Sequence, residues 1–80
     1  MTSSELYHFI DSVIGKLREA GIDPHFLEIV QGTAYATGSE WLGEIGLAVR
    51  KVEEQIGHRE ELKRDLETIL GEVRQAWPKI

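Results

Sequence analysis

The sequence contains no cysteine. Disulfides, iron–sulfur clusters, thiolate zinc sites and cysteine nucleophiles are thereby excluded, and a reducing compartment fits. Positive charge is also scarce: 9 Lys and Arg stand against 14 Asp and Glu, a formal net charge of −5. No run of Lys or Arg offsets that balance locally, so neither nucleic acid nor an anionic membrane surface is an expected partner. Long apolar runs are missing too. Apolar residues make up 41% and charged residues 29%, and the two are interleaved too closely for a membrane span. The stretch Met1 to Glu5 has no basic region leading into an apolar core, so no secretory signal is expected there. These features together predict a cytoplasmic, acidic protein of bacterial style that folds in water.

What is present is helix. Eighty residues bury only roughly 60–65% of their unfolded surface and cannot divide that between two cores, so residues 1–80 are expected to form a single domain. Thr2 and Glu5 make a T-x-x-E capping box. From there Leu6, Phe9, Ile10, Val13, Ile14, Leu17 and Ala20 recur at three- and four-residue steps, with His8, Asp11, Gly15, Arg18 and Glu19 on the other side. That spacing is amphipathic helix. Gly21 can end it in the left-handed conformation, with Ile22 packing back on the last turn.

Asp23-Pro24 restarts the chain as N-cap and first helical residue. The second helix is short, with Phe26, Leu27 and Val30 as its buried edge. The run Thr33 to Thr37 has no clear period and reads as a loop, with Tyr35 against the core. Either Thr37, boxed with Glu40, or Ser39 can open the third helix. Its stripe of Trp41, Leu42, Ile45, Ala48, Val49, Val52 and Ile56 spans about 120° when each residue turns about 100°. Gly57 breaks the pattern. The fourth helix carries Leu62, Leu66, Ile69, Leu70, Val73, Ala76 and Trp77 on one side, with a favourable Glu60 to Arg64 pair on the other, and Pro78 cannot continue it. The expected fold is therefore all-α, a compact bundle of four helices at about 3–20, 24–31, 39–56 and 58–77.

His8, His25 and His58 fall on separate elements, and none has a His or carboxylate at helical spacing to build a metal face. Glu53-Glu54 and Glu60-Glu61 are sequence neighbours, so their side chains point about 100° apart and cannot share a proton. No serine sits in a G-x-S-x-G elbow. Gly43-x-x-Gly46 lacks the strand, the further glycines and the lysine of a phosphate loop. No acid, base or nucleophile is paired, so no catalytic, metal or cofactor residue is assigned and an enzyme is not expected. Trp41 and Trp77 lie within their stripes and read as core, although a Trp beside Pro78 could also anchor a partner.

The glycines inside the third helix still need a reason, because each costs roughly 0.5–1 kcal/mol relative to Ala. On a helical wheel Gly43, Gly46, Leu47 and Arg50 project opposite the Trp41 to Ile56 stripe. Two readings follow. Either the third helix runs through the centre and the glycines let helix 1, helix 2 or the Tyr35 loop approach its back, or this face meets another chain.

The segment Ala36-Thr37-Gly38-Ser39-Glu40-Trp41-Leu42-Gly43-Glu44-Ile45-Gly46-Leu47-Ala48, within Gly32 to Val52, resembles small uncharacterised bacterial all-helical proteins. In that family a first helix ending in a Gly turn leads to a short helix and then a T-G-[ST]-E start of an apolar helix. The likeness covers about half the chain; the loop before Thr37 and the polar fourth helix depart from it. It implies a helical fold and brings no functional residue with it.

The expected function is a non-enzymatic helical module that binds another protein or a second copy of itself, with Gly43, Gly46, Leu47 and Arg50 as the contact face. Two alternatives stand beside it. One is an immunity or antitoxin-like protein that covers a basic effector; the other is a small-ligand carrier with a pocket near Trp41, Tyr35 and Trp77.

Overall fold

The computed structural model describes residues 1–76. Four helices follow in order: α1 (Ser3–Glu19), α2 (His25–Gly32), α3 (Gly38–Ile56) and α4 (Glu60–Ala76). The all-α four-helix arrangement with a short second helix is the one the periodicity predicts. The end expected for the fourth helix at Trp77, and the stop at Pro78, lie outside the described residues.

Local chemistry explains the boundaries. The Thr2 hydroxyl accepts from the Glu5 amide at 3.1 Å while the Glu5 carboxylate accepts from the Thr2 amide at 2.7 Å, which completes the capping box. At the other end of α1, Gly21 (φ +76°) donates to the Arg18 carbonyl at 3.0 Å and Ile22 donates to the Leu17 carbonyl at 2.9 Å. This is a Schellman termination, and the Ile22 side chain is buried against the core as such a motif favours.

Asp23 and Pro24 act one position later than expected. Pro24 occupies the N-cap site and Asp23 accepts from the His25 amide at 3.0 Å, so the helix begins at His25. Thr37, not Ser39, caps α3, accepting from the Glu40 amide at 3.2 Å. Gly57 turns the chain at φ +59°. The Arg59 carbonyl accepts the Lys63 amide at 3.0 Å as the first bond of α4, so His58 and Arg59 serve the turn and α4 starts at Glu60. No ion pair joins Glu60 to Arg64 among the described residues.

The helices pack as a ring. α1 lies against α2 and α4, and α3 lies against the same two, so α1 and α3 face each other diagonally across the core. Ile10 and Leu17 from α1, Leu27 from α2, Ile45, Val49 and Val52 from α3, and Leu66 and Ile69 from α4 are fully buried at its centre. No polar or charged side chain is buried with them among the described residues. Phe9, Phe26, Tyr35, Trp41 and Leu70 close the edges of this core. A radius of gyration of 11.9 Å matches the roughly 12 Å of a well-packed chain this long.

α2 is too short to persist alone, and polar contacts fasten it to α1. The Gln31 side-chain amide donates to the Tyr7 carbonyl at 2.9 Å and to Asp11 at 3.0 Å. Arg18 and Glu28 pair across the same junction.

Candidate protein-contact face

Because α1 is diagonal to α3, nothing from α1 covers the outer side of α3. A Cβ placed on Gly46 meets no atom within 4 Å. The helix is therefore peripheral, and the idea that it runs through the centre with its glycines packed by a neighbouring helix does not hold at Gly46.

Leu47 lies in the middle of this outer side with 57% of its surface exposed. The register forces it there. With Ile45, Ala48, Val49 and Val52 turned inward, a residue two positions after Ile45 and five before Val52 points about 160° from the first and about 140° from the second, away from the core. Across a shallow groove from it stands Ile29 of α2, 49% exposed. Phe26, Val30, Tyr35 and Ala48 form the rest of the apolar lining, and Glu44 and Lys51 stand at the two ends on α3. The Lys51 ammonium sits 4.7 Å from the centre of the Phe26 ring, within cation–π range.

The four residues marked by the sequence do not stay together. Leu47 belongs to the α2–α3 groove. Arg50 is exposed and lines a separate polar groove against α4, with Glu53, Glu67, Leu70 and Arg74. Gly43 and Gly46 are half-buried and line neither groove. Ile29 is the residue the sequence reading missed. Its signal was the excess of apolar side chains on α2: Phe26, Leu27, Ile29 and Val30 in an eight-residue helix cover more than one face, so one of them must point out.

Glu44, Arg50 and Lys51 form no ion pair with any described residue. Among the described residues the paired charges lie elsewhere, between α1 and α2 at Arg18–Glu28 and between the α1 and α4 segments. Between α1 and α4, Lys16 reaches Asp65 at 3.0 Å and Glu61 at 3.3 Å. These hydrogen bonds, Asp65 first, raise the Lys16 pKa above that of an ordinary lysine.

The groove has a volume of about 110 Å³. Sites for small molecules run from about 300 to 1,000 Å³, so this one suits an inserted side chain and not a metabolite. Trp41 does not line it; it is half-buried against the core, and Trp77 lies outside the described residues. The histidines remain apart: His8, His25 and His58 are all exposed, with His8 edge-on to Tyr7 and His25 edge-on to Phe26. Among the described residues, no group of three or more His, Asp or Glu is placed to hold a metal ion, and no helix is long and apolar enough to cross a membrane. No protein-family model, curated protein or solved structure matches this chain.

Proposed function

We propose that this chain is a non-enzymatic, cytoplasmic helical module that binds another protein through the groove between α2 and α3. One observation carries the reading: Leu47 and Ile29, 57% and 49% exposed, flank the same groove in a molecule whose other aliphatic stripes are buried. Fully burying one such side chain contributes about 1.5–3 kcal/mol, so covering two half-exposed ones supplies a partner with a usable apolar anchor. The charges of Glu44 and Lys51 beside it, in no ion pair among the described residues, form the polar rim such contacts have.

Immobilised protein incubated with lysate of the cell that makes it tests this reading. Wild-type protein captures a partner and the Leu47→Arg variant does not, while far-UV circular dichroism shows equal helicity for both. Equal capture by the two, or capture by neither, overturns it.

A further inference from the structure

We propose that the partner of the α2–α3 groove is a second copy of this chain, bound with the two α3 helices antiparallel and crossing at Leu47. The proposal rests on the reading of that groove as a protein-contact face and names its occupant.

The argument is one of charge and symmetry. A two-fold contact must be self-complementary: whatever residue i meets as j, residue j must meet as i. Glu44 precedes Leu47 by three residues and Lys51 follows it by four, so they lie about 4.5 Å and about 6 Å on either side of it along the helix axis. On the wheel both fall on the α2 side of Leu47, within about 60° of it. Rotation about a two-fold axis at Leu47 reverses the helix direction and keeps that side. It therefore brings Glu44 of one copy to the height of Lys51 in the second, and the reverse, while Leu47 meets Leu47.

A parallel pairing would instead put the α2 sides of the two copies on opposite flanks of the seam, so that Lys51 of one copy meets Arg50 of the other and Glu44 meets Gly43. Both groups lack an ion-pair partner within the described chain, so the second copy supplies what each is missing.

The other side of the seam fits as well. The same rotation sends Arg50 of the second copy toward Gly43, beside the open surface at Gly46, where an added Cβ touches nothing within 4 Å. Ile29 of both copies lies on the Glu44 and Lys51 side and widens the apolar contact. At the crossing angle of about 50° common between helices, residues one turn from the crossing stay in contact and those two turns away diverge. Glu40 and Glu54, seven residues out on each side, are thereby kept from meeting as like charges.

A contact with only one largely exposed aliphatic side chain from each of α2 and α3 belongs to the small, transient class of interface, which makes the dimer weak and concentration-dependent.

Sedimentation equilibrium of the purified chain, at about 0.15 M salt so that the repulsion between two acidic copies is screened beyond about 8 Å, tests the proposal. From about 5 µM to about 1 mM the average mass should rise from 9.1 kDa toward twice that value. Leu47→Arg should stay monomeric, and Ile29→Gln should weaken the dimer from the α2 side. Glu44→Lys and Lys51→Glu should each weaken it about tenfold or more, since the two-fold repeats each change. The double variant, whose net charge is unchanged, should recover most of the loss. All these positions are exposed, and circular dichroism confirms that each variant is folded. A wild-type chain that stays monomeric throughout overturns the second copy as partner, while the contact-face reading falls if wild type and Leu47→Arg capture equally from lysate or neither captures anything. Single variants that weaken the dimer without rescue by the double variant overturn the antiparallel register.

Discussion

Thr2 and Glu5 satisfy each other's backbone amides across a single turn, and this exchange fixes where the chain enters its first helix. Replacing Thr2 with Ala should cost about 1 kcal/mol of stability, within the roughly 0.5–2 kcal/mol range for such caps, as read by urea denaturation. The Thr2 amide, and then the Thr2 hydroxyl, hold the Glu5 carboxyl below the ordinary glutamate pKa. A carboxyl whose pKa is lower in the folded than in the unfolded chain stabilises the fold above its unfolded pKa. That contribution fades as pH falls through the folded value. Glu5→Gln should therefore narrow the stability gap to wild type as the medium is acidified through the carboxylate range. A gap that does not change with pH would rule out this role for Glu5. Gly46 is a residue of the opposite kind, since no neighbour gives it a reason to lack a side chain. Gly46→Ala should stabilise the monomer by about 0.5–1 kcal/mol, the ordinary helix-interior gain. Destabilisation on denaturant titration would show that something packs there.

The elements differ in how plainly the sequence announced them. α1 was legible at both ends, because Thr2, Glu5 and Gly21 each act through bonds to residues a few positions away. The stripe of α3 was legible for the same reason: its period is intrinsic to the helix. Two starts shifted where local signals competed. Asp23 was expected as the cap of α2 with Pro24 as its first residue, whereas Pro24 takes the cap position and Asp23 accepts from the His25 amide. At α4, His58 and Arg59 were drawn into the turn that Gly57 begins. The outer face of α3 was legible as a face but not as a surface. Whether Gly43, Gly46, Leu47 and Arg50 were covered depended on which helices flank α3, and that is a property of the ring, not of any one helix. The contact of Leu47 with the groove under Ile29 joins residues 18 positions apart, with no periodic signal between them.

At the scale of the whole molecule, the diagonal placement of α1 and α3 decides the outcome. Each helix has two neighbours and one core-facing stripe, so any further apolar residue must lie outside. α3 and α2 each have one such residue, and the ring brings the two to a common groove flanked by charges of opposite sign that form no ion pair among the described residues. The account makes that groove the seam of a weak two-fold dimer. Amide resonances followed by two-dimensional NMR from about 20 µM to about 1 mM, the range in which a small interface should begin to fill, test this claim most directly. The shifts should move with concentration at Ile29, Glu44, Leu47 and Lys51 and along the α3 face between them, and stay fixed on α1 and the outer side of α4. Spectra independent of concentration, or changes centred on α1 and α4, would contradict it.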